Sequence, residues 1–339
     1  MIMIDFRSDT VTKPSIQMRK LMAEAAVGDD VYGEDPTVLE LEEKGAALTG
    51  QEEALFVSSG TQSNLIALFS HLRRGDEYIA GQTAHTYKYE AGGGAVLASV
   101  QPQPLEFEKD GTLDLNKVEK KIKVDDVHFA RTRLLCLENT NMGRVLPLEY
   151  LDKALDFAAA KSLATHLDGA RVFNAAVKLK LDISRITSGF NSVSICLSKG
   201  LGAPVGSLLC GNSSFIAKAR KWRKILGGGM RQVGIIAAAG IYALEHNIER
   251  LEEDHEKAIM LARGLSTIDE IQVDGNLVQT NMVFVKIKPQ QLSPLVSQAK
   301  DNGIILREDE NMRMVTHLEQ KIGDIEKTIQ FFKKFYQTI

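Results

Sequence analysis

The chain has 339 residues, 44% hydrophobic and 25% charged, with a formal net charge of -3 at pH 7. That length accommodates two domains with a sizeable core, and the charge balance lacks the basic footprint of a protein that binds nucleic acid or an anionic membrane. Its three cysteines, Cys136, Cys196 and Cys210, follow neither a paired nor a metal-like spacing, which suits a reduced, cytosolic setting and suggests no metal site.

The opening residues MIMIDFRSDT meet an acid at Asp5 and lack a basic n-region, so they do not read as a signal peptide. The first regular helix is announced by EDPTVLELEEKGAAL, where Asp35 can cap, Pro36 suits the first helical position, and Val38, Leu41, Gly45 and Leu48 share a face. ALFVSS then reads as a strand, Gly60 as a turn and Gln62–Leu72 as an amphipathic helix. Further strands are expected at EYIAG, Ala95–Val100, RLLCLEN, LATHLDG, Val193–Ser198 and GSLLCG, with a helix over Glu149–Ala160. Strands separated by helices predict an α/β large domain whose mostly parallel sheet is covered on both faces.

Helical periodicity resumes from Gln232 to about Leu265, with a break near His246. Its apolar core, Gly234 to Leu244, is too short and too rich in Ala and Gly to span a bilayer. Beyond it the pattern shortens to strand NMVFVKI, a helix near Gln290–Asp301, strands GIILRE and MRMVTHL, and a helix over Gly323–Tyr336. The expected division is residues 1–246 as the large domain, including the N-terminal segment, and 247–339 as a small C-terminal α/β domain.

Three places gather chemistry. In ALFVSSGTQSNL a strand runs through Ser59, Gly60 and Thr61 into a helix, whose unpaired N–H groups and partial positive charge suit a phosphate. In THLDGAR, alternation puts Asp168 near a strand end with Arg171 three residues on. In SICLSKGLGAP a strand with one small, polar face ends at Lys199 before glycines and a proline. Each is ordinary alone: a capped turn, a polar turn, a lysine reaching for water. Ligands gather at the carboxyl ends of strands in an open parallel sheet. A phosphate cradle, an acid for a cationic ring nitrogen and an aldehyde-capturing amine together suit pyridoxal 5'-phosphate. Neither G-x-x-x-x-G-K-[ST] nor G-x-G-x-x-G occurs in this turn, which disfavours a nucleotide.

In DFRSDTVTKP, GDDVYGEDPTV, SSGTQSNLIA, HLDGARVFNAA, SVSICLSKGLGAPVGS and GGGMRQVGIIAAAG, taken in order, the chain resembles the low-specificity L-threonine aldolases. These are pyridoxal-phosphate enzymes of aspartate-aminotransferase-like fold (fold type I), and the similarity runs nearly end to end. The resemblance implies that Lys199 carries the cofactor covalently, that Asp168 pairs with its ring nitrogen, that His85 stacks on the ring and that Ser59, Gly60 and Thr61 hold the phosphate. It implies that Ser8, Arg171 and Arg313 grip the substrate carboxylate and that His128 is a second active-site histidine. His85 or His128, directly or through a water, is the candidate to take the β-hydroxyl proton, because imidazole titrates near neutrality. Arg231 lies in a segment implied to reach a cofactor across a subunit boundary, since such proteins are usually cytoplasmic homotetramers with sites at subunit interfaces.

The implied reaction cleaves L-threonine or L-allo-threonine, a small-molecule amino acid, to glycine and acetaldehyde. Alternatives are another pyridoxal-phosphate lyase, β-eliminating or of the glycine hydroxymethyltransferase kind, and a non-catalytic carrier of the cofactor. The chain departs from the pattern at Asn141, where many relatives have histidine, which bears on substrate handling.

Overall fold

Strands buried on both faces are apolar nearly throughout, and LFV, LLCL and SLLC are such runs. The computed structural model describes residues 3–273, 275 and 278–338. After a two-residue strand β1 (Ile4–Asp5) come β2 (Glu53–Val57), β3 (Asp76–Gly81), β4 (Gln101–Leu105), β5 (Arg131–Glu138), β6 (Ala164–Gly169), β7 (Ser192–Cys196) and β8 (Ser207–Gly211). These last seven form one sheet in the order β2-β8-β7-β6-β5-β3-β4. Strands β3 to β7 run parallel to their neighbours, and only β8 is reversed, against both β2 and β7. The mostly parallel sheet read from the alternation is therefore present, and the carboxyl ends of β5, β6 and β7 share one edge.

Register decides which side chains meet there. Glu138 pairs with Asp168 and Asp168 with Ser194 across β5, β6 and β7. Helices Pro36–Thr49, Gly60–His71, Leu148–Ala160 and Gly234–His246 contribute buried residues to the packing. The first begins as expected: the Asp35 side chain accepts from the N–H groups of Thr37 and Val38, and Pro36 opens the helix. The large core includes Leu41, Phe56, Leu137, Leu167, Ile195 and Leu208.

One strand lies one step later than expected. Ala95–Val100 does not form it; Gly93–Val96 is a short helix and QPQPL is β4. Two prolines argue against a strand, but β4 is an edge strand paired only with β3. At an edge an alternate residue without an N–H costs no ladder bond.

The C-terminal part contains β9 (Gln272–Val273), β10 (Met282–Lys286), β11 (Ile304–Ile305) and β12 (Asn311–Val315), with an antiparallel sheet β12-β10-β9. The long helical run splits into Gly234–His246 and Leu251–Leu265. We propose that the two bodies of the chain divide at this break. The N-terminal segment was expected with the large body, yet β1 pairs in parallel with β11. Ile4 and Phe6 are buried in a second core with Val283, Leu295, Met314 and Phe332. Apolar residues at both ends of the chain share one core, so Ile4–Phe6 belong to the C-terminal body.

Candidate active site

The carboxyl edge of the large sheet carries the two groups that alternation picked out. Asp168, near the end of β6, is buried. Its Oδ2 accepts from Asn64 Nδ2 at 2.8 Å and its Oδ1 from the Ala170 N–H at 3.1 Å. Lys199 follows β7 by three residues and is partly exposed. Its backbone carbonyl accepts from Thr12 Oγ1 at 3.0 Å, which ties the lysine loop to the N-terminal segment. Its positive charge acts on both Asp9 and His85.

Beside them the helix Gly60–His71 starts. Ser59, extended at φ -161, caps it by accepting from the Gln62 N–H at 3.1 Å. Gln62 Oε1 in turn accepts from the N–H and hydroxyl of Ser58, which closes the turn. Among the described residues no acceptor meets the N–H groups of Gly60 and Thr61. A Cβ added at Gly60 would meet only Ser207 Oγ, at 3.8 Å, and that buried hydroxyl has no partner. The turn is thus an open anion cradle.

A cluster of acids lies against the same edge. His85 Nδ1 is 2.8 Å from Glu90 Oε1, which also accepts from Asn64 Nδ2 at 2.7 Å. Ligand-type atoms of His85, Glu90 and Asp168 lie within 4.8 Å of one another. The hydrogen bond to Glu90 raises the His85 imidazole above its ordinary range. Burial pushes Glu90 up to about 6, with the charge of Asp168 adding to it. Burial and Asp168 push Glu138 up to about 7 as well. Glu138 still keeps two donors, the His85 N–H at 2.8 Å and Asn141 Nδ2 at 2.9 Å. Asn141, the position singled out as a departure in the sequence, therefore orients a part-buried carboxyl of this cluster.

The N-terminal segment anchors the cationic side of the site. Asp9, fully buried, receives Arg171 in a two-pronged pair, Nε to Oδ2 at 2.9 Å and an NH2 group to Oδ1 at 2.5 Å. Asn281 Nδ2 adds a third donor at 3.2 Å. Against the cost of burial, the Arg171 guanidinium holds the Asp9 carboxyl down to about 2. Ser8 Oγ stands 3.5 Å from the same carboxylate. Arg313, on β12, donates one hydrogen bond, to the Arg7 carbonyl at 3.3 Å, while its buried Nε has no partner. Burial and the charges of Arg171 and Arg307 depress its guanidinium, a sign of uncompensated positive charge.

Two predicted residues are not brought to this group within one chain. The His128 side chain is 79% exposed and bonded to Asp126 at 2.6 Å. It lies on the loop leading into the amino end of β5, across the sheet from Asp168. Arg231 pairs with Asp29 at 2.9 Å and lies 5.8 Å from the centre of the Tyr32 ring, half-exposed. Sequence reasoning missed Asp9, Asn64, Glu90, Glu138 and Asn281. Asn64 left a signal, an amide on the helix face that continues with Ala67 and Leu68.

A strand-end acid and lysine, an open helix start and a flank of two arginines thus lie on a mostly parallel α/β sheet. The model of the beta-eliminating lyase family matches residues 5–288, so the chain belongs to that family. It is 53% identical to the low specificity L-threonine aldolase of Escherichia coli (strain K12), over 94% of each chain. It is 43% identical to the probable low-specificity L-threonine aldolase 2 of Arabidopsis thaliana, over 99% of this chain and 98% of that one. A solved structure of Leishmania major threonine aldolase has the same fold, with a TM-score of 0.84, 21% identity and coverage of 98% and 99%. Within the lyases, the chain belongs to the low-specificity L-threonine aldolase family.

Proposed function

We propose that this chain cleaves L-threonine, L-allo-threonine and related β-hydroxy-α-amino acids to glycine and an aldehyde, acetaldehyde in the first two cases, with pyridoxal 5'-phosphate as cofactor. The observation that carries the reading is the meeting of Lys199, Asp168 and the Gly60–Thr61 turn at one sheet edge, flanked by Arg171 and an incompletely paired Arg313. The residues fit the cofactor. The open cradle at Gly60, the unpartnered Ser207 hydroxyl and two free N–H groups suit its phosphate. Asp168 accepts one hydrogen bond on each oxygen and has lone pairs left for a cationic ring nitrogen. Lys199, partly exposed, offers the amine that holds the aldehyde. Bound there, the cofactor supplies a sink for the electron pair released when the Cα–Cβ bond breaks.

The protein's own work is orientation and proton handling. Arg171 is fixed by Asp9, and Arg313 has a buried donor unmet, so a substrate carboxylate completes both. That grip sets the substrate's rotation about Cα, a positioning effect worth several kcal/mol at about its best. Glu90 accepts from His85 Nδ1, which leaves Nε2 to take the β-hydroxyl proton. The side chain of His85 is 40% exposed and stands with the cluster, whereas His128 does not, so His85 is our choice of base.

Assembly as a homotetramer is part of this reading, supported by exposed Ile16, Tyr32 and Val96, each at least 72% exposed. Among the described residues no helix is long and apolar enough to cross a membrane, and all three cysteines are free and buried, which supports a cytoplasmic setting.

The test is a visible spectrum of the purified protein before and after borohydride, peptide mapping of the reduced lysine, and a product assay with L-threonine. Acetaldehyde, glycine and a label on Lys199 are expected. A 2-keto acid with ammonia would indicate elimination instead, and a label elsewhere would remove Lys199 from its role.

A further inference from the structure

Behind Asp168 lies a line of polar groups that the proposed chemistry does not use. His71 Nε2 is 2.7 Å from Ser192 Oγ, which is 2.8 Å from His166 Nδ1. His166 Nε2 is 3.0 Å from Asn64 Oδ1, and Asn64 Nδ2 reaches Glu90 at 2.7 Å and Asp168 at 2.8 Å. His166, Ser192 and Asn64 are each no more than 1% exposed. Asn64 and His71 are seven residues apart on one helix, two turns and hence one face. The line leaves that helix at His71, crosses β7 at Ser192 and β6 at His166, and returns to the helix at Asn64.

Its direction follows from donor counting. Both Glu90 Oε1 and Asp168 Oδ2 are acceptors, so the Asn64 NH2 must face them and spend both hydrogens there. Asn64 Oδ1 then needs a donor, which among the described residues only His166 Nε2–H supplies. Burial holds the His166 ring down to about 4, so it is neutral and its Nδ1 must accept, which makes Ser192 the donor to it. The Ser192 oxygen in turn accepts from His71 Nε2–H, and burial likewise keeps His71 below its ordinary range. Every hydrogen points toward the two acids.

We propose that Asn64 is a positioning residue that bridges Asp168 to Glu90, and that the one-way line from His71 through Ser192 and His166 locks its amide in the orientation this requires. With the amide reversed, its oxygen would face two carboxylates and both would lose a donor. Asp168 and the His85–Glu90 pair are thereby set relative to each other by one side chain, on the helix whose first turn forms the anion cradle. The inference rests on the proposed roles of Asp168 and His85 for its catalytic consequence, but the hydrogen-bond direction stands without them.

Two measurements test it. Neutron diffraction from the deuterated, unaltered protein is expected to show deuterium on Nε2 and not Nδ1 of His166 and on Nε2 of His71, with the Asn64 nitrogen toward the acids. Deuterium on His166 Nδ1, or the Asn64 oxygen toward Asp168, overturns the line, whatever the reaction proves to be. In His166→Leu the amide loses its only donor; kcat and cofactor affinity, read by absorbance titration, are each expected to fall about tenfold. His166→Gln, whose amide nitrogen replaces Nε2, is expected to recover both to within about threefold. If Leu and Gln variants are equally impaired, or neither changes, Asn64 needs no lock. If the neutron map agrees while the cofactor test above fails, the line is real and the catalytic reading is what falls.

Discussion

Replacing Asp9 by asparagine removes one charge from a fully buried group without changing its shape. The drop of the carboxyl from its ordinary 3.8 to about 2 corresponds to roughly 2 kcal/mol in favour of the ionised form. Arg171 would also lose the carboxylate it pairs with and keep at most one of the contacts at 2.5 and 2.9 Å, because the asparagine NH2 group cannot accept. Breaking such a pair from one side costs about 3–5 kcal/mol. Asp9→Asn is therefore expected to lower Tm by roughly 4–7 °C at neutral pH. The sign with pH follows from the depressed value: the contribution of Asp9 is whole above about pH 4 and fades as pH falls toward 2. The gap between the two proteins should narrow over that interval. Calorimetry of both proteins from about pH 2 to about pH 7, which spans that whole interval, checks this. An unchanged Tm at neutral pH would mean that the buried pair contributes nothing, and the account of how Arg171 is held would be wrong.

Arg313→Leu is expected to raise KM for L-threonine about tenfold or more with a smaller change in kcat, because a charge-assisted bond to the substrate carboxylate is lost. Stability should barely change, since the one bond lost is the long one to the Arg7 carbonyl at 3.3 Å and the Nε has no partner; an unaltered KM in initial-rate assays would remove it from the carboxylate site. His85→Phe keeps a flat ring but no base, and kcat should fall about 10²- to 10⁴-fold while the cofactor stays bound. His128→Ala should cost less, and steady-state kinetics on the pair decides between them. Burial holds both His166 and His255 down to about 4. The unfolded chain takes up those protons first, so stability is whole above about pH 6.5 and falls toward pH 4, by roughly 3 kcal/mol for each ring. Denaturant titrations at several pH values follow that loss, and a flat profile would show the rings to be charged in the folded protein.

Much of the sheet was legible because its strands are short apolar runs closed by turn residues, and helix starts carried their caps, as at Asp35 and Ser59. The exceptions have physical causes. β4 carries Pro102 and Pro104, which local rules read as breakers, and only its place at the sheet edge makes them harmless. Ile4 and Phe6 look like the start of the large body because they stand first in the chain. Their partners lie about three hundred residues away on β11 and β12 (Ile4 pairs with Ile304), and no local pattern encodes such a contact.

The candidate site divides along the same line. Lys199 and Asp168 stood out because alternation and the glycines after them fix where a strand ends, and strand ends are where ligands collect. Asp9 and Glu90 did not, because an acid in RSDT or YEAGG reads as a cap or a solvated turn until folding buries it. Asn64 and His71 were hidden differently. On an apolar helix face a lone amide and a histidine look like interruptions, yet His166 and Ser192 from two strands complete them. A buried polar group needs its partner, and that partner comes from elsewhere in the chain. A polar residue that breaks an apolar face two turns from another is thus a reason to look for a third across the sheet.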